Sequence, residues 1–99
     1  MSDYTLSPEA ILDLQDIYLF TVDEWGEVQA EKYLNDIYAV FERLTQFPSI
    51  GRLRSELADG LRSIPIGAHV IFFMQWQSDI AIVRVLHGAR DVERVFGEA

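Results

Sequence analysis

The stretch from Gly60 to Gly88 restricts the possible folds of this chain more than any other. Two runs, His69–Trp76 and Ile80–His87, are dense in β-branched and aromatic residues and are separated by a short polar break at Gln77 to Asp79. Both have strand length and are too short to span a bilayer, so the spacing predicts a β-hairpin. Alternation puts Val70, Phe72, Met74 and Trp76 on one face of the first strand and Ile71 and Phe73 on the other. Both faces are apolar, and both therefore expect cover. In the second strand, strict alternation puts Ile80, Ile82, Arg84 and Leu86 on one side and Ala81, Val83, Val85 and His87 on the other. Arg84 then interrupts an apolar row.

A hairpin needs something to pack on, and the N-terminal half supplies it. Ser7, Pro8 and Glu9 read as an N-cap, a first-turn proline and a first-turn acid. Ile11, Leu14, Ile17 or Tyr18, Thr21 or Val22, and Trp25 follow at helical spacing. Gly26 breaks this pattern. A second helix is predicted from about Glu27 to Gln46, with Ala30, Tyr33, Leu34, Ile37, Phe41 and Leu44 inward. Phe47-Pro48 ends it, because proline disfavours helical geometry in the preceding residue. The short joint makes the two helices an antiparallel hairpin. Tyr4 to Leu6 is a short β-prone run suited to a sheet edge, and Ser49 to Asp59 reads as a connector. Leu61 to Ile64 reads as a further strand stopped by a turn at Pro65, Ile66 and Gly67. Val92, Val95 and Phe96 are spaced for one helical turn or a docked tail. Strand, helix, helix and three strands give an α+β sandwich, its helical hairpin on one face of a mainly antiparallel sheet and the other face partly open.

Ninety-nine residues, 49% hydrophobic, fit one domain, residues 1–99, with one core. With no cysteine, a disulfide framework and a thiolate metal site are excluded, and two isolated histidines make a poor metal cluster. No metal and no cofactor are expected. Nothing resembles a signal peptide, and a cytoplasmic location is the default. The formal charge of −8 speaks against a nonspecific nucleic-acid binder. That charge is unevenly spread: through Glu42 there are ten acids and one lysine, and from Arg43 onward seven arginines and six acids, giving −9 and +1.

Nucleophile-elbow and glycine-rich phosphate-loop patterns are missing. What remains is a set around the sheet: Arg52, Arg54, Arg62, His69, Arg84, His87 and Arg90. Arginine suits phosphate or the carboxylates of a partner, and histidine moves protons near neutrality. Two readings stay open. Arg84 and His87 belong either to a binding or RNA-cleaving site, or to the structure itself, with Arg84 paired to a helix acid and His87 capping the sheet. Phe72, Phe73 and Trp76 are core residues or base-stacking platforms.

The run Tyr4-Thr5-Leu6-Ser7-Pro8-Glu9-Ala10, then Asp13-Leu14 and Ile17, Trp25-Gly26 with Gln29-Ala30 and Tyr33, and Phe47-Pro48 with Gly51-Arg52 resemble the ParE toxins of bacterial toxin-antitoxin modules. Gly60-Leu61-Arg62-Ser63, His69-Val70-Ile71-Phe72 and Arg84-Val85-Leu86-His87-Gly88 continue the likeness, which runs from about Tyr4 to Phe96. The resemblance implies a RelE/ParE-like fold, a ParD-like antitoxin in a hetero-oligomer, DNA gyrase poisoned by binding rather than by catalysis, and a role in plasmid or chromosomal stabilisation with autoregulation by the complex. It leaves no part for direct DNA binding by the toxin alone or for a membrane.

Ribosome-dependent messenger-RNA nucleases of the same superfamily are the rival. They tend to carry a basic residue where this chain has His69, and a tyrosine where it has Phe96. Phenylalanine has no hydroxyl for proton transfer. Arg90 matches one of their basic positions, and Arg62 is aligned with another. The residues expected to carry toxicity are Arg84, His87, Arg90 and Phe96. Those expected to meet acidic side chains of the antitoxin are Arg52, Arg54, Arg62 and Arg84. A plain interaction module without toxicity is the third reading.

Overall fold

A computed structural model describes residues 3–88 and 91–96. Strands β1 (Tyr4–Leu6), β2 (Arg52–Leu53), β3 (Arg62–Ile66), β4 (His69–Trp76) and β5 (Asp79–His87) form one sheet in the order β1-β5-β4-β3-β2. The β1–β5 pair is parallel and the other pairs are antiparallel. Helices α1 (Pro8–Trp25) and α2 (Glu27–Gln46) form the expected hairpin around Gly26, whose φ of 91° only glycine adopts readily. A short helix α3 (Asp91–Phe96) follows β5. The architecture is the α+β arrangement expected, a helical hairpin on one face of a mainly antiparallel sheet, and among the described residues no helix is long and apolar enough to cross a membrane.

Ser7 does two jobs at the start of α1. Its Oγ accepts the Ala10 N–H at 2.9 Å, capping the helix, and its hydroxyl donates to the Val83 carbonyl on β5 at 2.6 Å. The cap therefore also docks the helix on the sheet. Ala10, Leu14, Ile17 and Thr21 form the buried stripe of α1, and Ala30, Leu34, Ile37, Phe41 and Leu44 that of α2. The α1 stripe thus lies one position away from part of the predicted one, which leaves Ile11 and Trp25 exposed. Both stripes close on Ile71, Phe73, Ile80, Ile82 and Val85 of the sheet. Each fully buried Phe or Ile here contributes about 1.5–3 kcal/mol.

Three expectations change. First, β5 does not alternate strictly. Phe72 faces Arg84 while Phe73 faces Ile82, so Val83 is an extra residue in a bulge, and every side chain beyond it changes face. Ile80 and Ile82 point at the helices, whereas Arg84 and Leu86 join Val70 and Phe72 on the opposite face, and Val85 and His87 move to the helix side. The apolar row that Arg84 interrupted does not exist. Second, the connector contains β2, two residues long, paired to Arg62 and Ser63. Third, β3 runs through Pro65 and Ile66, and the turn is Gly67-Ala68. Proline fits there because β2 pairs only with Arg62 and Ser63, so Pro65 meets no outer strand that would need its N–H.

The second face is partly covered. Val92, Val95 and Phe96 of α3 pack against Leu61, Phe72 and Leu86, with the Phe72 and Phe96 rings 4.6 Å apart.

Candidate functional site

Beyond Leu6, β1 stops, and the edge of β5 continues without a strand beside it. Helix α1 closes that edge with side chains. Asp13 Oδ2 accepts the Val85 N–H at 3.0 Å and the Arg84 Nε–H at 2.8 Å, while Oδ1 accepts from Arg84 Nη2 at 3.0 Å. The carboxylate thus replaces a missing strand partner and grips the guanidinium at two points. The bulge makes this possible, because Arg84 leaves the opposite face and reaches around the β5 edge. The hydrogen bonds to Asp13 push the Arg84 guanidinium further up from its already high range.

Next to this pair lies a cleft of about 500 Å³ between α1, the start of α2, the end of β5 and α3. Asp13, Asp16, Phe20 and Trp25 form its α1 wall. His69, Arg84 and His87 line it from the sheet, Tyr33 from α2, and Asp91 and Arg94 from α3. The Tyr33 hydroxyl lies 2.7 Å from His69 Nδ1 and 3.1 Å from the Ile66 carbonyl. Its single hydrogen serves one of the two. If it is donated to the carbonyl, His69 Nδ1–H donates to the phenolic oxygen. Burial raises the Tyr33 hydroxyl above the usual tyrosine value. Gly67 allows the contact, since a Cβ there would sit 2.7 Å from the Tyr33 oxygen. The His69 and His87 rings meet edge to face at 5.6 Å, and His87 Nδ1 is buried with no hydrogen-bond partner. Among the described residues, no group of three or more His, Cys, Asp and Glu side chains could hold a metal ion.

The sequence-based candidates separate into three places. Arg84 and His87 share the cleft. Arg52, Arg54 and Arg62 gather at the β2–β3 edge: Arg52 is exposed, Arg54 bonds Glu56 at 2.7 Å and Ser63 at 3.1 Å, and Arg62 donates to the Gly51 carbonyl at 2.7 Å. Phe96 lies on Phe72, over which the Arg54 guanidinium also stands at 5.7 Å. Arg90 lies outside the described residues. Sequence reasoning overlooked Asp13, Asp16, Phe20, Trp25, Tyr33, Asp91 and Arg94 as site residues. For Asp13 a signal existed, since an arginine inside a β-run asks for an acid and Asp13 adjoins the buried Leu14.

Residues 4–92 match the family described as the ParE toxin of the type II toxin-antitoxin system parDE. The chain is 39% identical over 94 residues to the toxin ParE1 of Mycobacterium tuberculosis, covering 94% of this chain and 96% of that one. It is 32% identical over 97 residues to toxin ParE1 of Caulobacter vibrioides, covering 98% of this chain and all of that one. A solved structure described as the chromosomal ParDE TA system from P. aeruginosa superimposes with a TM-score of 0.75 at 26% identity, over 88% of this chain and 95% of that chain. With the fold and nearly the whole length in agreement, this chain belongs to the ParE family of type II toxins.

Proposed function

We propose that the chain is the toxic component of its module, inhibits DNA gyrase by binding it, and is held inactive in a hetero-oligomer with a ParD-like antitoxin in the cytoplasm. The observation that carries the non-catalytic half of this reading is the engagement of Arg84. Its guanidinium, which lines the cleft together with His69 and His87, is already bound by Asp13, and Arg94 bonds Asp91 at 3.1 Å. Asp16 adds another carboxylate to the same cleft. A site that clamps RNA phosphate needs cations directed at the ligand, and among the described residues Arg84 and Arg94 are directed at carboxylates.

On this reading Arg84, His87, Arg90 and Phe96 carry toxicity, and Arg52, Arg54 and Arg62 meet acidic side chains of the antitoxin, while Arg84, expected from the sequence to join them, stands apart on β5 already paired with Asp13. Arg52 is the exposed member of that second group, and Arg54 and Arg62 stand beside it on one sheet edge. The rival reading, ribosome-dependent RNA cleavage, draws on the Tyr33–His69 contact beside His87, a pair able to move a proton. Supercoiling by purified gyrase, run beside cleavage of ribosome-bound messenger RNA, decides between them. Loss of supercoiling with intact RNA is expected; cut RNA with unaltered DNA topology overturns the proposal.

A further inference from the structure

The sheet order separates two regions of opposite charge. Arg52, Arg54 and Arg62 stand on β2, after β2 and on β3, while the cleft opens beside β5, three strand spacings or about 14 Å from β2. The cleft wall is acidic and aromatic. Phe20 is 57% and Trp25 73% exposed, too much for core residues; Phe20 lies one turn beyond Asp16 on α1, and Trp25 lines the same cleft about 13.5 Å further along the helix. Asp13 and Asp91 are each bonded to an arginine, whereas Asp16 makes no ion pair among the described residues. The whole helical hairpin shares this sign: Lys32, its lone lysine before Arg43, is bonded to Asp36. Aromatic faces beside an uncompensated carboxylate attract a cation that carries apolar neighbours.

We propose that the protein partner seated in this cleft presents an arginine or lysine between apolar side chains, set against Asp16, Phe20 and Trp25. The occupant is a segment of the antitoxin, so the inference rests on the antitoxin-bound reading above. It also orients that partner: basic and apolar at the α1–β5 cleft, acidic at the β2–β3 edge.

Two measurements test it. In a Trp76→Phe background, Trp25 is the remaining tryptophan, and its fluorescence reports the cleft directly. The blocked peptides acetyl-Leu-Arg-Leu-amide and acetyl-Leu-Glu-Leu-amide are titrated against the full chain. Saturable change with the arginine peptide, at least about fivefold weaker with the glutamate peptide and with Asp16→Lys, is expected. Equal responses, or none to the arginine peptide, overturn the proposal. In the toxin–antitoxin complex, Asp16→Lys is expected to weaken affinity at least about tenfold, with recovery when one basic residue of the antitoxin is changed to Glu. Unchanged affinity, or a loss that no such reversal recovers, sinks the inference while leaving the antitoxin reading intact. Failure of any complex to form, with the peptide response present, sinks the antitoxin reading instead. Circular dichroism checks that Asp16→Lys, on an exposed helix position, keeps the fold.

Discussion

Replacing Asp13 with Ala tests the edge-capping role more sharply than any other single change. The carboxylate takes three hydrogen bonds, two from Arg84 and one from the Val85 N–H. Removing it leaves a strand N–H without its partner and a guanidinium without its counter-charge. An unsatisfied buried donor costs about 1–3 kcal/mol and breaking a fully buried ion pair about 3–5 kcal/mol. The side chains of Asp13 and Arg84 are 12% and 25% exposed, so water recovers part of both losses. The sum is about 2–4 kcal/mol, and at about 4–8 °C per kcal/mol for a chain of this size the melting temperature falls by about 8–32 °C. Urea unfolding at pH 7, followed by circular dichroism, gives the free energy. Asp13→Asn keeps an acceptor for the Val85 N–H and loses the charge, so it should fall between wild type and Asp13→Ala. The cycle with Arg84→Ala should show a coupling of about 1–2 kcal/mol. A loss under about 0.5 kcal/mol for Asp13→Ala, or strictly additive single changes, refutes the claim that this carboxylate stands in for a strand.

Gly51→Ala drives a Cβ into the Phe73 ring, whose side chain is fully buried, and should destabilise by about 2 kcal/mol or more in the same urea assay. Gln77 holds φ 57° in the two-residue β4–β5 turn, so Gln77→Gly should raise stability by about 0.5–1 kcal/mol despite glycine's greater freedom when unfolded. Burial raises the Tyr33 hydroxyl above 10.0 in the folded state. The folded chain therefore holds that proton more tightly than the unfolded chain: the contribution is intact below pH 10 and disappears as pH climbs through the folded value. Thermal melts between pH 9 and 11.5 should show this alkaline loss, and Tyr33→Phe should reduce its slope.

The parts of the fold that rest on local chemistry could be read directly. Ser7-Pro8-Glu9 announced α1, Phe47-Pro48 ended α2, and the apolar runs announced β4 and β5, because caps, prolines and β-branched density act within a few residues. Among the features that escaped, two show how pairing overrides local signals. A two-residue strand such as Arg52–Leu53 has no period to detect and exists only because β3 lies beside it. The buried stripe of α1 passes through Ala10 rather than Ile11, a choice made by the sheet and not by hydrophobicity. The cleft residues were hidden for a related reason. Tyr33 was correctly assigned to the inner face of α2, but its hydroxyl found His69 only because Gly67 lets the β3–β4 turn approach it.

The bulge at Val83 decides the chemistry of the whole site. In an unbroken β5, Arg84 would lie in the row of Ile80 and Ile82, against the helix stripes, where an arginine's desolvation would weigh against the packing of Leu14, Ile37 and Phe73. One extra residue turns Arg84 onto the other face, lets its long side chain bend back round the edge to Asp13, and brings Val85 inward as a core residue. The same shift puts His87 opposite His69, on the helix side, at the cleft. A change of register by one position therefore accounts together for the edge cap, the neutralised arginine and the paired histidines. Among the described residues the two arginines of the cleft, Arg84 and Arg94, are held by Asp13 and Asp91, and for Arg84 it is the register shift that makes the pairing possible.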